Sequence, residues 1–390
     1  MNKTIRHYLS DTRHHDSNYS SYKNKAKEYI HQQFVNFGLE TEYDTFSEPT
    51  VSSTAQFHTV IGVLKGTKFG TKDDAILGVG AHYDTVNTTK GVDDNGSGVA
   101  ALLEVIAQIT EMNDQGTKRG NTIIFVSFDL EEENLSGSNH FVQIWLPNWL
   151  RAHYDSYWNM LTPHGVIILE TLMEYSTTNN SQMFPELLKD AFEETFESIK
   201  SDNFRGDFLT LIYRKPTADM KLANAFKTTW SNSRRSQYEI EQFALPITDV
   251  SNLTKTQWNM YSNFFRSDHY RFWERMVPAI QLTDTANFRG NMQRCYHQLC
   301  DNLEILLTND NINFLGKTAD ATAMTIHKLS DPTSDPTTTP NPTTTPDPTT
   351  IPDPTTTSGD SSGGLSLGIS ITTTIIAAVV VWLRNQITFA

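Results

Sequence analysis

The side chains best suited to chemistry fall in five short stretches. His82 and Asp84 follow the apolar run ILGVGA. Asp93 and Asp94 lie in GVDDNGSG. Glu131, Glu132 and Glu133 follow FVSFDL, Glu170 lies within VIILETL, and His297 sits between two cysteines in CYHQLCDNL. Each stretch has an ordinary explanation by itself: a charge run is usually solvated surface, and DDNGSG is a good turn and helix cap. Glu170 is harder to dismiss, because an unpaired carboxylate in a buried strand costs on the order of several kcal/mol. Together they supply two imidazoles and several carboxylates, and such closely spaced acids call for a positive charge. The mixture suits zinc, which takes nitrogen and oxygen ligands and keeps an open position for water when catalytic. Two zinc ions sharing a carboxylate would activate a water and polarise a carbonyl together.

These residues need a scaffold that brings them to one place. TIIFVSF (122–128) is apolar at nearly every position, as in a central strand covered on both faces. The acids that follow it therefore lie at a carboxyl strand end, where open α/β sheets bind ligands. Further strands are expected from about Thr41 and over 57–66, 75–86, 165–173 and 277–284. An amphipathic helix opens near Tyr22 and stops at Gly38, and others are expected over 97–109 and 311–329. The alternation predicts an α/β fold: a three-layer α/β/α sandwich with a largely parallel mixed sheet and helices on both faces. The stretch 183–265 shows helical pieces and is expected to build the rim of the site.

The chain has 390 residues with 38% hydrophobic content, enough for one large core or two modest ones. Its net charge of −14 argues against nucleic acid and anionic membrane surfaces as partners. Two cysteines, Cys295 and Cys300, exclude a disulfide framework but leave a single bridge possible. Composition divides the chain into a folded part (1–330), a Thr/Pro-rich stalk (331–364) and a terminal apolar segment (365–390). The stalk cannot form a core and has the composition of an O-glycosylated spacer. The uncharged run 365–383 fits a lipid-anchor (GPI) signal, with a single membrane-spanning helix as the alternative. Both place the protein on the extracellular face of a membrane, held by its C-terminal tail. No signal peptide is visible, so the natural amino terminus is expected to lie upstream of Met1. Sequons at Asn18, Asn87, Asn179 and Asn252 agree with that location.

The set GAHYDT, GVDDNGSG, FDLEEENLSGS, VIILETL, RSDHYRFW and CYHQLCDNL resembles metallopeptidase family 28, the di-zinc aminopeptidases, over about residues 20–330. Relatives in that family include glutamate carboxypeptidase and glutaminyl cyclase. The resemblance implies two zinc ions per chain: Asp94, Glu132 and His297 hold one, and Asp94, His82 and Glu170 the other. It makes Asp84 the partner that orients His82, Glu131 the general base, and Tyr296 a donor to the developing oxyanion. It also implies a cis peptide at Asp94–Asn95. This chain departs from the family in having Glu170 where aspartate is usual and Asn134 where glycine is usual. The extra methylene of Glu170 leads one to expect weaker metal binding on its side. Glu133 has no role, and Asp268 and His269 are left out of the ligand set. The implied activity is hydrolysis of peptides at a free amino terminus. Alternatives are a carboxypeptidase, a glutaminyl cyclase, or an inactive adhesion or binding ectodomain. An extracellular domain further predicts that Cys295 and Cys300 form a disulfide bracing the loop of Tyr296 and His297.

Overall fold

The computed structural model describes residues 1–334 apart from 115, 162, 216 and 234–236. The first residues of the expected stalk belong to the folded part, since Pro332–Ser334 pair antiparallel with Thr117–Arg119; the stalk beyond Ser334 and the apolar tail lie outside the described residues. Eight strands form one mixed sheet: β1 Glu40–Phe46, β2 Phe57–Leu64, β3 Leu77–His82, β4 Ile123–Phe128, β5 Gly165–Leu169, β6 Phe208–Arg214, β7 Glu239–Leu245 and β8 Ala279–Thr283, in spatial order β1-β2-β4-β3-β5-β8-β6-β7. The four central strands β4, β3, β5 and β8 run parallel, and β6 and β7 are parallel to each other. β1–β2, β2–β4 and β8–β6 are antiparallel.

Strands β3, β4 and β8 are buried at every residue; β3 and β4 therefore read as nearly continuous apolar runs, while β8 carries Gln281 and Thr283. Two hydrophobic cores flank the sheet. One packs Val79, Ala81, Phe125 and Ile167 with helices α1 (Ser20–Asn36), α2 (Gly96–Asp114), α3 (Asp219–Asn232) and α4 (Asn309–Leu329). The other packs Ile124, Val126, Ile168, Ile212 and Phe243 under Phe141, Phe264, Phe272 and Trp273. The layering matches the α/β/α expectation. Among the described residues, no helix is long and apolar enough to cross a membrane.

The stretch 183–265 departs from its reading as helical rim. It contributes two full strands to the sheet, β6 and β7, with α3 between them. β6 inserts antiparallel beside β8, so the segment extends the sheet as well as lining the site. Glu170 also differs slightly from expectation: β5 ends at Leu169, and Glu170 is the first residue beyond it.

Candidate active site

β3 lies between β4 and β5, the strands that follow it in sequence, so the chain reverses direction across the sheet at β3. A crevice opens at the carboxyl ends of strands flanking such a switch. His82 ends β3, Glu131 and Glu132 follow β4, and Glu170 follows β5. Asp94 precedes α2, whose first turn presses against the end of β5; a Cβ at Gly98 would stand 2.5 Å from the Leu169 carbonyl oxygen. The acid-bearing loop turns back through left-handed residues Leu130, Asn134 and Leu135, with φ of 53°, 59° and 55°. Asparagine tolerates that conformation, which makes Asn134 a mild replacement for glycine. His297 reaches the cluster from a distant loop closed by a Cys295–Cys300 disulfide. The Asp94–Asn95 peptide is cis.

Asp94 connects two groups of side chains. Its Oδ1 lies 3.5 Å from His82 Nε2 and its Oδ2 lies 3.1 Å from His297 Nε2. Around His82 Nε2 stand Glu170 at 3.2 Å and Glu131 at 3.9 Å. Glu132 stands 3.3 Å from His297 Nε2. The donor atoms of His82, Glu131 and Glu170, and those of Asp94, Glu132 and His297, each gather within 4.8 Å. The first set therefore contains Glu131 as well as the expected ligands. Asp84 sits 3.3 Å from His82 Nδ1, and its two oxygens accept the backbone N–H groups of Glu131 and Glu132 at 3.1 and 3.2 Å. One carboxylate thus orients the imidazole and the paired glutamates together. The Tyr296 ring stacks on His297 with centroids 3.9 Å apart, and the Arg266 guanidinium lies 5.2 Å from the Tyr296 ring.

The electrostatics are those of a cation site. Burial pushes the Glu131 carboxyl well above its ordinary range and Glu132 up to about 8. Burial alone would depress the histidines. The facing acids outweigh it, raising His297 to about 9 through Glu132 and Asp94, and His82 well above its ordinary value through Glu170 and Glu131. Burial likewise opposes ionisation of Asp94, yet the facing His297 and His82 rings hold it well below the usual carboxylate range. Asp94 Oδ2 and His297 Nε2 are buried and face each other without forming a hydrogen bond. Buried polar atoms normally have partners. Nitrogen and oxygen donors converging with unused lone pairs fit zinc.

Several residues that shape the site escaped the sequence reading. Asp301 accepts the backbone N–H groups of Asp93 and Asp94 at 2.8 and 3.1 Å. The Asp93 side chain in turn takes the amides of Leu172 and Met173. Ser267 donates its hydroxyl to Glu170 Oε2 at 2.8 Å. Arg13 is fully buried and donates to the carbonyls of Tyr83 and Gly91 at 2.6 and 2.7 Å, tying the N-terminal segment beneath the loops of His82 and Asp94. Asp301 and Ser267 stood inside recognised motifs, and that position was their only signal; Arg13 had none. Glu133 does not simply face solvent. Its Oε1 lies 3.7 Å from both His14 Nε2 and His15 Nδ1. His14 Nδ1 accepts the Asp16 amide, and its Nε2 faces Glu133. This cluster fastens the N-terminal segment to the acid loop. Asp268 and His269 are both buried, and the His269 ring bonds the Phe264 carbonyl.

A pocket opens beside Asp94, Glu131, Glu170 and Tyr296. Its walls come largely from 182–212 and 243–288 and include Phe184, Leu188, Phe208, Phe243, Phe264 and Phe288. The stretch 183–265, expected at the rim of the site, thus supplies much of the pocket wall.

Fold and site together define a metal-dependent hydrolase of the α/β class. The family model for peptidase family M28 matches residues 59–205 and 211–323, and this chain belongs to that family. The uncharacterized protein YfbL of Escherichia coli (strain K12) is 24% identical over 329 residues, covering 80% of this chain and 82% of that protein. Aminopeptidase Y of Saccharomyces cerevisiae is 33% identical over 107 residues, covering 27% of this chain and 18% of the yeast protein. Among solved structures, the LapA aminopeptidase of Legionella pneumophila shares the fold with a TM-score of 0.54 at 15% identity, over 85% of this chain and 72% of that one.

Proposed function

We propose that this peptidase is a zinc-dependent aminopeptidase that removes residues from free peptide amino termini. The observation that carries the reading is Asp94, which divides its two oxygens between His82 and His297 at the mouth of an apolar pocket. His82, Asp94 and Glu170 would hold one zinc ion, and Asp94, Glu132 and His297 a second. When bound, zinc supplies Lewis-acid polarisation of a carbonyl and lowers the pKa of a water. The remaining work belongs to the side chains. Asp84 holds the His82 ring in one orientation. Glu131, beside the cluster and lining the pocket, takes a proton from the attacking water and delivers it to the leaving amine. Tyr296 donates its phenolic hydrogen to the oxygen on which charge develops. Glu170 offers negative charge to a substrate ammonium, and the pocket receives the first side chain. The relatives named aminopeptidases support this choice within the family.

Metal analysis of the purified protein, paired with a substrate panel, tests the reading. Two zinc ions per chain and hydrolysis of unblocked aminoacyl amides are expected. Activity confined to blocked peptides would point to a carboxypeptidase, and cyclisation of glutaminyl peptides to a cyclase.

We also propose that the protein works outside the cell, held by its C-terminal tail on the 331–364 stalk. The exposed sequon residues Asn18, Asn87, Asn179 and Asn252 and the Cys295–Cys300 disulfide favour the secretory pathway. Release from cells by a phosphatidylinositol-specific phospholipase would establish a lipid anchor. Retention with the 365–383 segment intact would establish a spanning helix instead.

A further inference from the structure

The floor of the pocket carries polar groups that neither the fold nor the carboxylate cluster uses. It is formed where β8 and β6 pair, with Thr210 opposite Thr283 and Ile212 opposite Gln281. Thr283 is committed, because its hydroxyl bonds Thr171 and receives the Thr285 amide. Thr210 and Gln281 are not. Thr210 is 1% exposed and its hydroxyl has no partner among the described residues. Gln281 is 7% exposed, and no hydrogen bond among the described residues uses its side-chain amide. Both stand within an aromatic collar of Phe184, Phe208, Phe243, Phe264 and Phe288.

The Gln281 amide reaches the pocket, and an apolar ligand that covers it would strip its water without giving it a partner, which is costly. The collar selects an aromatic body, while the floor asks for a hydrogen-bonding tip. The depth agrees. Gln281 pairs with Ile168, two residues before Glu170 along β5. Two residues of strand span about 6–7 Å, the reach of a tyrosine side chain from its α-carbon to its hydroxyl. Ile168 and Ile212 belong to the same hydrophobic layer as the pocket walls Phe243 and Phe264, which puts the Gln281 side chain on that face. We propose that the pocket selects peptides whose first residue is tyrosine, its ring held in the phenylalanine collar and its hydroxyl bonded to Gln281, with Thr210 beside it. This rests on the aminopeptidase reading.

The test uses the zinc-loaded full chain with tyrosyl, phenylalanyl, leucyl and glutaminyl amides of one fluorogenic amine. Tyrosyl turnover should exceed phenylalanyl turnover in kcat/KM by at least about tenfold, the scale of one buried hydrogen bond. Gln281→Met should bring the ratio to about one, and a cooperative thermal melt like the parent's shows that the variant folds. Thr210→Val should lower the ratio less, by about threefold. Calorimetric binding of tyrosine amide and phenylalanine amide to the same proteins should give ratios in the same order without turnover. A parent enzyme that prefers the phenylalanyl, leucyl or glutaminyl substrate overturns the proposal, as does a ratio unmoved by Gln281→Met. Failure to hydrolyse any of the four overturns the aminopeptidase reading, and the binding ratio then judges the pocket alone.

Discussion

The two histidines of the cluster sit in opposite settings. His82 ends a central strand, its side chain is 1% exposed, and it is enclosed by Asp84, Glu131 and Glu170. His297 is 32% exposed, has a left-handed φ of 59°, and rides on a loop held by the disulfide and by Thr88 bonding its carbonyl. The sheet builds one half of the site and a stapled loop builds the other. The difference bears on Glu170. Side-chain length alone argues for weaker metal binding on its side. Ser267 fixes its carboxylate, however, and both Glu170 oxygens lie within 3.4 Å of His82 Nε2. Preorganisation and burial argue for the opposite order, and the His297 half is predicted to release metal first.

The largest effect should come from Glu131, which belongs to neither histidine's strand or loop. Glu131→Gln is expected to lower kcat by at least about 100-fold with zinc content unchanged, since general-base catalysis is worth that much. Near-normal turnover would remove Glu131 from the proton-transfer role.

Next come the histidines themselves. His82→Ala leaves buried carboxylates without their partner and should cost about 3 kcal/mol or more of folding stability. His297→Ala should cost less, about 2 kcal/mol, because part of the ring reaches water although its Nε2 is buried against Asp94 and Glu132. Urea unfolding of the two variants measures the contrast, and equal losses would erase it.

Stepwise chelation sharpens the comparison further. One zinc ion should leave well before the other, and the double substitution Cys295→Ser with Cys300→Ser should weaken the first-released ion by about tenfold, on the scale of a supporting-group change. The more tightly held ion should not respond. If Glu170→Ala instead weakened the first-released ion and spared the other, the assignment of halves would be inverted.

The smallest effect is expected far from the cluster, at Glu241 on β7. Burial pushes this carboxyl up to about 7 from an ordinary value near 4.5, against the Ser198 hydroxyl that donates to it at 2.6 Å. A carboxyl with a raised folded pKa destabilises the fold once the unfolded chain can ionise. Stability therefore falls as pH rises from about 4.5 to about 7 and then levels off. Glu241→Gln should gain about 1 kcal/mol above pH 7, allowing for partial solvent screening, and nothing below about pH 4.5. Thermal melts across that range check the sign.

Much of the catalytic end was legible because its signals are local. A strand buried on both faces is largely apolar, so β3, β4, β5 and β8 announce themselves, and polar residues at their ends stand out against those runs. β6, FLTLIYR, is buried at every residue and carries the same signal, which went unread; β7, EIEQFAL, blurs the alternation by burying Glu241, and the partner β8 of β6 lies more than 60 residues later in the chain. No local pattern names such a partner. The same reason hid the helpers. Ser267 meets Glu170 across 97 residues and Asp301 meets Asp93 across 208.

The sequence by itself determined which side chains could bind metal, and that strand ends would carry most of them, because residue type and burial periodicity are properties of the chain read locally. Only the tertiary structure decided that Asp94 would face both histidines, that one would be sealed and the other open, and that Gln281 would lie unpaired on the floor of an aromatic pocket. Those outcomes depend on distances between residues far apart in sequence, and such distances exist only once the sheet order is set.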